Sequence, residues 1–185
     1  LFEQRGLAAV TTRELAAAAG LGVGTFFNYF PNKEALGMTI LADALASGRK
    51  QWRHRKTRMD NAPAELFALI WAELRSLGPH RSFAAPVLEA CIGPFARLEP
   101  GDPAESTRLA HLEAMLEILE RQGVEPPGFV AQHLYWTLYL GVLAFWIRDD
   151  SPRQEDTRLV LDQSLDLFFV TINPGNVADS QGDPS

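Results

Sequence analysis

The stretch from Thr11 to Leu36 constrains this chain more than any other part of it. It reads TTRELAAAAGLGVGTFFNYFPNKEAL. Thr11-Thr12-Arg13-Glu14 has the form of a capping box, in which an N-cap hydroxyl and a carboxylate three residues on satisfy each other's backbone N–H groups. Leu15, Ala16 and Ala19 then give a short helix with a face of small residues, against which a second helix can approach closely. Gly20 stands where a helix ends in a left-handed residue. After a turn through Leu21 and Gly22, the spacing predicts a second short helix from about Val23 to Tyr29. Pro31 closes it, and Asn32 is placed to cap a third helix that opens Lys33-Glu34-Ala35-Leu36.

A helix, a glycine-containing turn of three or four residues and a second helix form the unit that lays its second helix in the major groove of DNA. Thr25, Asn28 and Tyr29 offer polar groups on that helix, Phe26 and Phe30 can anchor its inner side, and Lys33 can reach a phosphate. The residues also resemble the TetR (tetracycline repressor) family of transcriptional regulators. The resemblance lies in Thr11, Leu15-Ala16, Ala19-Gly20, Gly24-Thr25-Phe26-Phe27, Tyr29-Phe30 and Lys33-Glu34-Ala35-Leu36. Leu1–Gly6 is similar to the end of that family's first helix, so the sequence is expected to begin partway through it, without the basic arm that precedes it.

The resemblance implies roles for single positions. Thr11, Thr12, Thr25, Phe27, Tyr29 and Lys33 fall where the DNA backbone is commonly touched, and Arg13, Val23, Gly24 and Asn28 where some members contact bases. Three positions depart from the pattern. Gly22 replaces a capping Ser or Thr, Val23 a common polar residue, and Phe27 a common Tyr. A weaker cap, an apolar contact to a thymine methyl and the loss of one hydroxyl–phosphate bond follow from these.

Beyond this segment the apolar periodicity is helical, and no alternating run suggests a strand. Leu109, Leu112, Leu116 and Leu119 share a helical face, as do Leu161, Leu165, Phe168 and Ile172. The fold class expected is all-α: a three-helix DNA-binding domain over residues 1–47, a larger bundle for dimerisation and ligand binding over 48–172, and a disordered tail over 173–185. The resemblance implies a homodimer whose interface is a four-helix bundle, built from long helices at about 128–148 and 153–172. The apolar stretch Phe129–Ile147 and the Leu161 stripe are expected to supply it. Phe129–Ile147 is nearly long enough to span a bilayer, yet a helix apolar on all sides is more simply a core or interface helix. No membrane association is expected.

Charge is distributed unevenly. The chain carries 17 Lys+Arg and 23 Asp+Glu, but residues 1–60 hold 9 basic and 5 acidic groups, a net of +4. The remainder holds 8 and 18, a net of −10. A basic third on an acidic body fits one module that meets phosphate and another that does not. The cluster Arg49, Lys50, Arg53, Arg55, Lys56 and Arg58 reads as a solvated helix end whose cations complement the helix dipole.

Catalytic and metal signatures are missing. Gly20–Thr25 lacks the third glycine and the preceding strand of a dinucleotide loop. The four histidines and the single Cys91 show no metal-ligand spacing, and Cys91 reads as a small buried apolar residue. No cofactor and no catalysis are expected. One cysteine and no visible leader suit the cytoplasm.

The expected ligand is a small apolar or aromatic effector. Phe67, Trp71, Met115, Trp136 and Tyr139 would line its pocket, and His111 and His133 would act as polar anchors. The acidic body disfavours an anion, and a cation could stack on Trp71 or Trp136. By the resemblance, the effector releases a repressor from a palindromic operator. The alternatives are a helical enzyme or small-molecule carrier, and a dimerising adaptor without a ligand.

Overall fold

The computed structural model describes residues 1–93 and 96–172. The tail expected to be disordered lies outside the described residues. Among the described residues there are nine α-helices and no strand: α1 (Phe2–Arg5), α2 (Thr12–Ala18), α3 (Val23–Tyr29), α4 (Lys33–Arg53), α5 (Ala62–Leu77), α6 (Arg81–Cys91), α7 (Pro103–Arg121), α8 (Phe129–Arg148) and α9 (Glu155–Ile172). Short 3₁₀ turns stand at Gly78–His80 and Pro152–Gln154. The protein is all-α.

Local chemistry explains most boundaries. Asn61 Oδ1 accepts from Ala64 N at 2.9 Å and opens α5. Pro103 opens α7 at a position where a missing N–H costs nothing. Asp149 joins α8 to α9 by accepting from Ser151 N at 2.8 Å, from Thr157 N at 2.9 Å and from the Thr157 hydroxyl. Hydrogen bonds from Ser151 and Thr157 hold its carboxyl well below the usual aspartate range.

Contacts group residues 1–53 with 72–111, and 54–71 with 112–172. In the first unit, Phe2 of α1 packs on Phe83 of α6 with ring centroids 5.3 Å apart. α4 meets α6 at Gly37, where a Cβ would sit 2.6 Å from Val87 Cγ2. It meets α5 at Gly48, where a Cβ would sit 2.6 Å from the Glu73 backbone.

That close approach carries a buried polar network. Arg49 Nη1 lies 2.6 Å from Glu73 Oε1, and His111 Nδ1 lies 2.8 Å from Glu73 Oε2, with all three side chains buried. Burial pushes the Glu73 carboxyl up, but His111 and Arg49 together outweigh it and hold the group below the ordinary range. The reading of the basic cluster as a solvated helix end is therefore corrected at Arg49, which lies in the interior.

In the second unit, Glu65 is a fully buried carboxylate. Arg55 lies 2.8 Å from it, Arg58 3.2 Å and Arg121 3.6 Å, and Met59 N donates to it at 2.7 Å. Arg55 and Arg58 thus fasten the α4–α5 connection, while Lys50, Arg53 and Lys56 of the cluster are exposed. α8 and α9 pack together, with Tyr135 and Phe168 at 5.2 Å. Leu161, Leu165 and Phe168 are buried within the chain. They fill its own core, so the apolar surface of α9 is instead Leu159, Leu167 and Val170, exposed among Asp162, Gln163 and Asp166. α8 exposes Phe129, Val130, Leu134 and Phe145. It is long and apolar enough to cross a membrane by length and composition. The Leu109 stripe is also adjusted, since Leu109 is exposed while Leu112 and Leu119 are buried.

Candidate nucleic-acid interface

The capping box forms in full. Glu14 N donates to Thr11 Oγ1 at 3.2 Å, and Thr11 N donates to Glu14 Oε2 at 2.8 Å. Arg5 adds an ion pair to Glu14 at 2.8 Å. The hydrogen bonds from Thr11, with Arg5 behind them, lower the Glu14 carboxyl to about 2. α2 ends in a Schellman motif: Leu21 N donates to Ala16 O at 2.8 Å and Gly20 N to Ala17 O at 3.0 Å, with Gly20 at φ +68°. The tight reversal brings α2 against α3. Ala16 is buried on one side, and Phe26 packs on Phe27 and Phe30 at 5.6 and 5.7 Å on the other.

With Phe26 turned inward, the rest of α3 faces out. Val23, Gly24, Thr25, Phe27, Asn28 and Tyr29 are all exposed, Phe27 by 50% and Tyr29 by 72%. Thr11 and Arg13 are exposed and Thr12 is half-buried. Among the described residues, the side chains of Arg13, Thr25, Asn28 and Tyr29 make no hydrogen bond or ion pair within the protein. Large exposed rings beside unused polar groups do nothing for the fold and suit a surface that something else covers.

Lys33 stands differently. Its Nζ donates to Leu7 O at 2.8 Å, to Val10 O at 3.1 Å and, more weakly, to Ala8 O at 3.4 Å. The ammonium fastens the α1–α2 connection to the start of α4, whose own cap is the 2.7 Å bond from Ala35 N to Asn32 Oδ1. The charge asymmetry also needs relocating. Residues 1–47 contain three cations (Arg5, Arg13, Lys33) and four anions (Glu3, Glu14, Glu34, Asp43), so the positive surplus of residues 1–60 comes from 49–58. Arg49, Arg55 and Arg58 of that segment are engaged with Glu73 and Glu65.

Residues 1–37, which contain α2 and α3, match the family model of bacterial regulatory proteins of the TetR family. Residues 66–183 match a tetracyclin repressor-like C-terminal domain. The chain belongs to the TetR family. No match was found among curated protein sequences. Among solved structures, the chain is similar to FadR of Thermus thermophilus, a TetR-family transcriptional repressor in complex with lauroyl-CoA. The identity is 24% and the TM-score 0.67, over 91% of this chain and 88% of that one. A TetR transcriptional regulator from a Rhodococcus species is 20% identical, with a TM-score of 0.69 over 91% and 88%. PfmR, a TetR-family transcriptional regulator from Thermus thermophilus, is 22% identical, with a TM-score of 0.53 over 89% of each chain. At these identities the structural likeness concerns the fold, and membership rests on the two family models.

The candidate effector residues of this TetR-family regulator are distributed over both units. His111 belongs to the first unit, where Glu73 holds it, and the other six belong to the second. His133 is exposed and stacks on Phe129 at 6.4 Å. Met115, Trp136 and Tyr139 are core residues. Phe67 and Trp71 stack at 6.3 Å and are half-buried, and the Arg158 guanidinium lies 4.7 Å from the Trp71 ring. One face of the Trp71 ring is thus covered by the protein's own arginine. Neither of the two described cavities is lined by any of the seven residues. Burial, with Glu34 and Asp102 adding to it, raises the Cys91 thiol, which leaves it a poor nucleophile. Sequence reasoning missed the networks centred on Glu73 and Glu65, because their members lie far apart in the chain.

Proposed function

We propose that this TetR-family regulator is a repressor that binds a palindromic duplex as a homodimer and is released by a small apolar or aromatic effector. The observation that carries the DNA reading is the set of exposed side chains without internal partners on α2 and α3: Arg13, Thr25, Asn28 and Tyr29. Arg13 and Asn28 read base edges, as the bidentate geometry of Arg on guanine and Asn on adenine allows. Val23 and Gly24 lie against bases. Thr11, Thr12, Thr25, Phe27 and Tyr29 pack on the sugar–phosphate backbone. Lys33 supports that surface by ordering residues 7–10, to whose carbonyls it gives its ammonium protons.

The homodimer reading rests on the exposed apolar residues of α8 and α9. On α9 these are interspersed with exposed Asp162 and Asp166, which suits a protein partner better than lipid. The effector reading keeps Phe67, Trp71, Met115, Trp136 and Tyr139, all in one unit. The lauroyl-CoA carried by FadR of Thermus thermophilus joins an apolar acyl chain to an anionic carrier, and the acyl chain supports an effector with an apolar body. Such a regulator works by binding, not catalysis, in the cytoplasm.

Binding sites selected from a random DNA pool test this reading, followed by fluorescence anisotropy of the variants. Arg13→Ala and Asn28→Ala should each cost about 1–3 kcal/mol and relax one position per half-site. Lys33→Ala should weaken binding to all sequences alike. An unchanged motif with Arg13→Ala and Asn28→Ala overturns the base-reading assignment, and absence of any duplex binding overturns the whole.

A further inference from the structure

We propose that the groove between α4 and the α5–α6 corner is a binding site for a small organic carboxylate. The groove encloses about 410 Å³ within the first unit. Ser47 and Gln51 of α4 line one side, and Arg75, Ser76 and His80 the other.

Its side chains are unusually underused. Arg75, exposed in the last turn of α5, has no carboxylate or carbonyl partner among the described residues. The Ser76 hydroxyl is buried and also without a partner, a state that is costly unless something fills it. Ser47 Oγ receives only a long 3.4 Å contact from Gln51 Nε2, so its own hydroxyl proton remains to be given. One guanidinium and two hydroxyl donors around a shared space are the donor set that a carboxylate satisfies, the guanidinium through a charge-assisted fork.

Charge and shape narrow the class. Arg75 is the one lysine or arginine lining the groove, and the remaining titratable group, His80, already has Nδ1 at 2.8 Å from Glu3 of α1. A single available cation matches a monoanion better than a phosphate dianion. The lining also includes Ala44 and Pro79, apolar surfaces that can cover an organic body. Through the Glu3–His80 contact, occupancy is felt in α1, the helix preceding the DNA-binding pair. None of these residues belongs to the effector set of the second unit, so this site stands or falls independently of that reading.

Titration of the full chain with benzoate, followed by amide chemical shifts, tests the assignment. Benzoate should shift Ser47, Ser76 and His80, and Arg75→Ala should raise its Kd roughly tenfold or more. Arg75→Lys should recover part of that loss. Since Arg75 is exposed, both variants keep the fold, which unchanged thermal unfolding verifies. The neutral isostere benzamide should bind far more weakly. The proposal is overturned if Arg75→Ala binds benzoate as the unmodified protein does. It is overturned equally if benzamide matches benzoate, if the shifts fall elsewhere, or if inorganic phosphate binds and benzoate does not.

Discussion

Glu73 shows how one buried carboxylate can govern the interior of a unit. Two groups of opposite character, Arg49 and His111, close on its two oxygens. Replacing it with alanine leaves a buried guanidinium without its counter-charge, so Glu73→Ala should cost about 3–5 kcal/mol in denaturant unfolding. Its carboxyl is held below the ordinary range in the folded protein. The stability it contributes is therefore present at neutral pH and lost as acid protonates it. Glu14 works in the same direction on the surface. Its folded value of about 2 lies below the ordinary 4.5. Its contribution is complete above about 4.5 and disappears as pH falls toward 2. Glu14→Gln should lower the melting temperature at neutral pH, and the gap to the unmodified protein should close as pH falls toward about 2. A gap independent of pH would show that the capping box does not depend on the carboxylate charge. Of these two residues only Glu14 was legible in the sequence, because its partner Thr11 is three residues away. Arg49 and His111 are 24 and 38 positions from Glu73, and no local pattern joins them.

At the scale of elements, the short helices of the DNA-binding pair were readable because their signals are local. Thr11, Gly20, Gly22 and Asn32 each mark a boundary within one or two residues of where it stands. The weak member is Gly22. It caps α3 at φ −70° and ψ 149°, a conformation any residue adopts, with only Thr25 Oγ1 at 3.8 Å from an added Cβ. A serine there gains a side-chain acceptor and reduces the freedom of the unfolded chain. Gly22→Ser should therefore stabilise by roughly 0.5–1 kcal/mol, read as a rise in melting temperature. Gly48 gives the opposite case. A methyl would meet Glu73 Cα at 2.6 Å and Ala72 O at 2.7 Å, both backbone atoms. Gly48→Ala should destabilise by about 1–3 kcal/mol, because α4 and α5 must separate to admit it. An unchanged melting temperature would mean that the two helices yield easily. Sequence alone could not distinguish these glycines, since the difference lies in what faces them.

For the whole molecule the decisive question is which apolar residues face a partner. The periodicity of α9 singled out Leu161, Leu165, Phe168 and Ile172, of which Leu161, Leu165 and Phe168 are buried in the chain's own core. α9 carries apolar residues on two faces, and the more regular face is internal. The other holds Leu159, Leu167 and Val170, with Leu167 exposed by 70%. These two faces make contrasting substitutions possible on one helix. Leu167→Asp adds a charge where only a second copy could bury it. It should leave the helical content and the unfolding of the chain intact while shifting sedimentation to a monomer and weakening operator binding, because two half-sites are no longer engaged together. Leu161→Asp places its charge in the core and should instead unfold the chain, as an unpaired buried carboxylate must. Were the unmodified protein a stable monomer in sedimentation, the apolar faces of α8 and α9 would need another partner. If Leu167→Asp remained dimeric, the two-fold contact would lie on a different surface.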